Sequence, residues 1–357
     1  MRNKLALFLF ILLGVFLLSA CSGTTIASSW PGVTVNQERV YIAYHQQIIA
    51  LDMKSGSEKW RYPAEVNNKI SFYAAPALTP DDGQLIVGGY DHVLYSINPQ
   101  NGQENWKFSE SKYNYVATPL ITKDRIYAPT SGKALYALDF QGNKLWDFSA
   151  EGAIWATPVT DESCNCIYVP SMDHHIYAID AQTGNLVWKT EKLEGSIVGT
   201  PAMDKEGILY FGTFGNLVHA LDTKTKTDRW TYPTRNWVWG DPVLQDGHLY
   251  ITDLAGDLIA LDPQNGKEIW KVETNSAITA SPLILKDKII IGNEAGNLYA
   301  FDLQGKQLWM KTFSAKLLAT VKYSDGMLYV PLVTKDDILV ALNEQGEQSW
   351  IFSLAKK

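Results

Sequence analysis

The sequence predicts an all-β fold, an eight-bladed β-propeller of four-stranded antiparallel blades. Three observations predict it: one ending recurs eight times, the tryptophans of successive endings lie 39–46 residues apart, and no stretch after residue 23 has a helical period. Self-similarity at a fixed period marks a repeat architecture. Four-stranded units repeated radially are propeller blades.

The ending is an apolar residue, Asp or Asn, a short turn with Gly, then Trp. Leu51-Asp52 leads through Gly56 to Trp60, Ile97-Asn98 through Gly102 to Trp106, Leu138-Asp139 through Gly142 to Trp146, and Ile179-Asp180 through Gly184 to Trp188. Leu221-Asp222 leads to Trp230, Leu261-Asp262 through Gly266 to Trp270, Phe301-Asp302 through Gly305 to Trp309, and Leu342-Asn343 through Gly346 to Trp350. Asp or Asn bonds its own backbone two residues on and starts the turn. Gly supplies a positive φ at low cost, and Trp opens the next strand as a large apolar body with one N–H to satisfy. Gly stands four residues before Trp in seven units, whereas the fifth has Lys226 there. That lysine must accept a strained backbone or a different turn, so its hairpin is expected to be irregular.

Upstream lies a strand pair such as Ile126-Tyr127-Ala128-Pro129 followed by Ala134-Leu135-Tyr136-Ala137-Leu138. Alternating β-branched and aromatic residues bounded by turn formers read as hairpin strands. Before each pair stands a small or polar residue and Pro, in Ala75-Pro76, Thr118-Pro119, Thr157-Pro158, Thr200-Pro201, Asp241-Pro242 and Ser281-Pro282. Trp30-Pro31 begins this series and Thr320-Val321 ends it without proline. Stacking such units in a ring buries the faces a lone blade would expose, with the Trp expected between neighbouring blades. Inner and outer strands can be counted in order, which permits closure without strand exchange, or with a borrowed N-terminal strand.

The chain start specifies export. Arg2 and Lys4 precede the apolar run Leu5 to Leu18, and Leu18-Ser19-Ala20-Cys21 follows. This is a leader with a cleavage site, and it resembles the lipobox of bacterial lipoproteins, which implies cleavage before Cys21 and acylation of that residue. The domain expectation is a signal peptide over 1–20, a lipidated tether over 21–29 and one propeller over 30–357. Ser22 is similar to the outer-membrane sorting default in cells with two membranes. Losing Arg2 and Lys4 takes 31 basic residues to 29 against 38 acidic ones, a balance of −9. That disfavours nucleic acid, which rewards a basic face.

Of three cysteines, Cys164 and Cys166 remain, in Ser163-Cys164-Asn165-Cys166. They read as turn residues between strands whose redox state is open. A disulfide there would close a tight ring, and no second Cys or His pair is near enough for a zinc site. His92 and His174 occupy equivalent positions in different units, and His45, His175, His219 and His248 form no ligand spacing. No Gly-x-Ser-x-Gly or phosphate-cradling glycine loop occurs.

The Ala-Leu-Asp…Gly…Trp ending with its upstream Thr-Pro strand resembles the tryptophan-docking repeat of the pyrroloquinoline-quinone (PQQ)-type propellers, over residues 24–354. Eight repeats behind a lipoprotein leader resemble the BamB lipoproteins of the outer-membrane β-barrel assembly machinery. The resemblance implies a non-catalytic scaffold facing the periplasm, with a β-barrel assembly protein or unfolded outer-membrane clients as partners. Related quinoprotein dehydrogenases hold PQQ and Ca²⁺ at the axis, with an aspartate base and a disulfide of adjacent cysteines. Here Cys164 and Cys166 are not adjacent and the units leave little room for a cofactor, so no cofactor, metal or catalytic residue is expected. Asp241 is the one candidate acid, and a solvated turn-capping role accounts for it. The alternative is a propeller that binds a quinone or another small molecule at the channel mouth.

Eight of the twelve tryptophans are repeat anchors. The other four, Trp30, Trp155, Trp237 and Trp239, lie at or just before the inner-strand Pro, with Tyr73 and Tyr115 in neighbouring positions. This stretch runs from the inter-blade loop into the central channel, where Trp and Tyr form an apolar rim of the kind that dominates binding energy, or plug the channel. Arg235 and Asn236 are expected on the same loop as polar contacts.

Overall fold

The computed structural model describes residues 30–354. The leader, Cys21 and the tether lie outside the described residues. Within them are 32 strands and no helix, in eight four-stranded sheets each built from consecutive strands. Blade 1 spans 32–62, blade 2 77–108, blade 3 120–149 and blade 4 159–189. Blades 5 to 8 span 202–233, 243–273, 283–312 and 322–353.

Burial follows from stacking. The second and third strands of each blade lie between two neighbours and are buried along nearly their whole length, as in Ile126–Pro129 and Ala134–Leu138. Outer strands alternate exposed and half-buried residues, as in Lys144–Ser149. The apolar core is therefore eight clusters, each shared by two adjacent blades.

The repeat ending does what its chemistry predicts. The Asp52 carboxylate accepts the Ser55 N–H at 2.9 Å, and Gly56 N–H donates to Asp52 O at 2.9 Å. A bulge in the fourth strand follows, at Lys59 in blade 1 and Arg229 in blade 5, leaving a small residue opposite each Trp, Ala50 opposite Trp60 and Ala220 opposite Trp230 among them. Each indole then crosses to the next blade. Trp60 Nε1 donates to Pro99 O at 3.0 Å and Trp230 Nε1 to Pro263 O at 2.8 Å, while the ring lies on the next blade's glycine, where a Cβ on Gly102 would meet Trp60 at 2.7 Å.

The ring closes the same way. Trp350 Nε1 donates to Met53 O at 3.1 Å, and one core cluster joins blade 8 to blade 1. Among the described residues no strand is exchanged, since Gly32–Val35 is the inner strand of its own blade.

One expectation is corrected and one open point is resolved. The hairpin containing Lys226 is regular, because the lysine accepts a φ of +63°, donates its N–H to Asp222 O at 2.7 Å, and keeps the bulge between Ala220 and Leu221. Cys164 and Cys166 are joined in a disulfide, within the turn between the first two strands of blade 4 and away from the axis.

Candidate functional site

The loops linking each outer strand to the next inner strand gather at one end of the ring, and backbone hydrogen bonds stitch them to the blades on both sides. In the loop from blade 5 to blade 6, Val238 N–H donates to Thr213 O of blade 5 at 3.3 Å, and Trp237 O accepts Leu254 N–H of blade 6 at 2.9 Å. Ile197 with Ser171, Ile278 with Asp253 and Tyr115 with Gly89 repeat the first bond. The anchored residue is buried, as are Val238, Ile154 and Phe72. Side chains alternate along extended chain, so the next residue faces the axis. Tyr73, Val116, Trp155, Val198, Trp239, Thr279 and Leu318 therefore converge with Trp30 on one cavity.

The four non-repeat tryptophans are brought together here. Trp237 stacks on Phe214 at 4.6 Å between ring centres, Phe214 lies 5.3 Å from Trp239, and Trp239 lies 5.2 Å from Trp30. Trp237 remains 44% exposed and Trp155 37%. Tyr73 packs on Tyr90 at 4.7 Å.

Tyr115 does not join the rim. It occupies the anchor position, fully buried between blades, so close to blade 2 that a Cβ on Gly88 would lie 2.2 Å from its own. Its neighbour Val116 faces the cavity instead. One residue of register reverses the face. Arg235 is exposed but engaged: its guanidinium grips the buried Asp257 carboxylate at 2.6 and 2.5 Å and reaches Glu273 at 3.3 Å. The hydrogen-bonded Asp257 carboxylate holds it above the ordinary guanidinium range. It fixes the loop rather than offering a free contact. Asn236 makes a local contact, its Oδ1 accepting Trp237 N–H at 2.8 Å.

Sequence reasoning missed Phe214 and Tyr90. Both sit in the turn between second and third strands, where other blades have Ser131, Met172, Leu254 and Glu294. An aromatic at that turn was the available signal, because Phe214 N–H bonds Ser196 O and Tyr90 N–H bonds Ser71 O across the blade junction.

Beneath the aromatic collar is a polar layer in a cavity of about 230 Å³, lined by Thr118, Thr157, Thr200, Asp241, Ser281, Thr320 and Lys322. Hydrogen bonds run around it from blade to blade. Thr200 N–H donates to Asp241 Oδ1 at 2.6 Å, Asp241 N–H to Ser281 Oγ at 2.9 Å, and Ser281 N–H to Thr320 Oγ1 at 3.1 Å. Asp241 is thus an axial residue, not a solvated turn cap. Burial pushes its carboxyl up, with hydrogen bonds and the Lys322 charge opposing, and burial pushes the Lys322 ammonium down against the pull of Asp241. Asp241 is the single carboxylate lining the cavity, and no group of three or more His, Cys, Asp or Glu among the described residues could hold a metal. Ca²⁺ takes six to eight oxygen ligands, carboxylates prominent among them. With the disulfide also remote from the axis, the donor set does not fit a calcium–quinone centre.

The family model described as outer membrane protein assembly factor BamB matches residues 15–167, 172–313 and 255–356. The chain belongs to that family. It is similar to the outer membrane protein assembly factor BamB of Burkholderia pseudomallei, 26% identical over 185 residues that cover 49% of this chain and 48% of the relative. It is also similar to the quinohemoprotein alcohol dehydrogenase of Comamonas testosteroni, 30% identical over 200 residues, which are 48% of this chain and 28% of that enzyme. The match thus spans about half the length of the assembly factor. The crystal structure of BamB from Moraxella catarrhalis shares the fold, with a TM-score of 0.71 at 17% identity over 84% of this chain and 93% of that one.

Proposed function

We propose that the chain is a non-catalytic, lipid-anchored scaffold that binds protein partners in outer-membrane protein assembly through the aromatic end of its ring. The observation that carries this reading is the run Trp237–Phe214–Trp239–Trp30, part exposed, with Trp237 and Trp239 on a loop bonded to blades 5 and 6. Rigid aromatics lose little conformational freedom on binding and supply most hot-spot energy. Family membership supports a partner in β-barrel assembly, either a barrel assembly protein or unfolded outer-membrane clients. Acylation at Cys21 would hold the propeller on the periplasmic face of an outer membrane, or on the outer face of a single membrane. Truncating Trp237 and Trp239 to Ala should weaken capture of the partner from solubilised membranes by about 30-fold or more, the effect of losing a hot spot worth about 2 kcal/mol. Unchanged capture by a folded double variant would refute the assignment.

One observation favours a second reading. Asp241 and Lys322 converge beneath the collar, an arrangement suited to a small polar molecule or quinone. Native mass spectrometry of the purified protein tests it: a bound small molecule lost in Asp241→Asn would support this reading, and a ligand-free native protein would remove it.

A further inference from the structure

The inner layer of the ring departs from its repeat at two positions, and both departures are charges. At the inner-strand position paired with the second-strand Tyr or Ile, blades 2 to 7 carry Ala, Val or Leu and blade 1 carries Thr34, whereas blade 8 carries Lys322. Two residues earlier the other seven blades have Gly, Ala, Ser or Thr, and blade 6 has Asp241. Seven blades fold with an uncharged residue at each position, so the repeat itself requires neither charge. Taking a charge out of water is costly unless it is paired and hydrogen-bonded, and burial disfavours both of these. Asp241 is met in part by the Thr200 N–H at 2.6 Å. The Lys322 ammonium forms no hydrogen bond and no ion pair among the described residues, and it lines the axial cavity.

Above these charges the cavity continues into an apolar chamber. Trp30, Tyr73, Tyr90, Trp155 and Trp239, with two valines, enclose about 360 Å³. All of them but Tyr90 also line the polar cavity beneath, so the two spaces form one funnel. Tyr90 and Trp155 are exposed, which opens its mouth to solvent. An aromatic chamber over a floor of hydroxyls, one ammonium and one carboxylate matches a ligand with an apolar body and a polar head.

We propose that this funnel binds a free α-amino acid with an apolar or aromatic side chain. The inference rests on the second reading above, a small polar molecule or quinone at the axis, and narrows it to one class. The ligand carboxylate pairs with Lys322, its ammonium with Asp241, and its side chain packs within the collar. A zwitterion answers both charges at once and brings no net charge into the ring. An anion alone leaves Asp241 unanswered and a cation alone leaves Lys322 so, while an oxidised quinone offers acceptors for the lysine but no donor for the carboxylate. A polypeptide terminus carries only one of the two charges, which sets a free amino acid apart from the protein partners of the rim.

The test titrates the full chain in detergent with L-phenylalanine, read by calorimetry and by the emission of the collar tryptophans. Two analogues accompany it, 3-phenylpropionate, which lacks the amine, and 2-phenylethylamine, which lacks the carboxylate. L-Phenylalanine should bind and shift the emission, and each analogue should bind about tenfold or more weakly, the scale of one hydrogen bond to a charged group. Lys322→Met, uncharged like its counterparts in the other blades, should erase the preference for L-phenylalanine over 2-phenylethylamine. Asp241→Asn should erase the preference over 3-phenylpropionate. The analogue series on the native chain decides the matter even if a variant fails to fold. No binding of L-phenylalanine, equal binding of either analogue, or a preference that survives in the folded variants would each overturn the proposal. Native mass spectrometry separates that failure from failure of the reading beneath it: a different small molecule, retained by the native protein and lost in Asp241→Asn, would overturn the amino acid and leave the axial ligand site standing.

Discussion

At Gly266 the chain turns through a φ of +70° with Trp230 across it, so that an added Cβ would lie 2.6 Å from the indole. Gly247 has a similar φ of +76° and nothing within 4 Å of that Cβ position. Gly266→Ala should therefore destabilise by about 2–4 kcal/mol, backbone strain plus overpacking, and Gly247→Ala by about 1 kcal/mol from the backbone alone. Urea unfolding of the pair separates the two contributions. Asp241 gives a pH-dependent counterpart. A carboxyl whose native value is raised stabilises the fold below its unfolded value, about 3.9, and that contribution is lost as pH rises through the native value. Asp241→Asn, which can still accept the Thr200 N–H, should melt above the native protein at pH 7, and the difference should vanish on acidification to about pH 3. A lower Tm at pH 7 would mean that the ionised carboxylate is favourably paired with Lys322. The rim tryptophans were legible because they stand outside a repeat that explains the other eight. Tyr115 was misread because a neighbouring position along extended chain points the opposite way, and Arg235 because its partner Asp257 is distant in sequence.

At the scale of the hairpin, the Asp–Gly–Trp ending was readable and the bulge behind it was not. The bulge exists so that Ala or Ser, never a larger residue, stands opposite each Trp. Its trace in sequence is the small residue two places before each Asp or Asn, as Ala50 precedes Asp52. The tertiary context also explains why Lys226 keeps a regular turn: the Asp222 cap and the ladder to Thr227 over-determine the backbone. The defect appears instead in the neighbouring blade: seven anchor tryptophans donate their indole N–H to a carbonyl of the next blade, whereas Trp188, beneath the Lys226 ammonium, has no acceptor among the described residues. Trp230→Ala should cost roughly 3–5 kcal/mol. Trp188→Ala should cost less by about 1 kcal/mol, the net worth of the hydrogen bond it does not make, again measured by urea unfolding. Equal losses would contradict the reading of that junction.

At the scale of the whole molecule, stability is distributed over eight seams, and the seam between blades 8 and 1 is of the same kind as the rest. With no strand exchanged among the described residues, Trp350 is the clasp, through its bond to Met53 and the shared cluster of Ile42, Leu51, Tyr329 and Leu339. Trp350→Ala should accelerate hydrogen exchange at 40–52 and 337–353 before other blades respond, whereas uniform acceleration would point to a ring that unfolds only globally. The period, blade count and orientation of the loops follow from the repeat and were legible. The composition of the axial face was legible only in part, because Phe214, Tyr90 and the Asp241–Lys322 layer come from different blades and meet only when the ring closes. The central claim is that the aromatic end of the ring binds a protein of outer-membrane assembly. It is tested most directly by placing a photo-cross-linking residue at 155 or 237 in the native cell and identifying what is captured by mass spectrometry. The account predicts covalent capture of an outer-membrane barrel assembly protein or a nascent barrel client from both positions; recovery of the propeller alone, with a small molecule retained in its axial cavity, would contradict it.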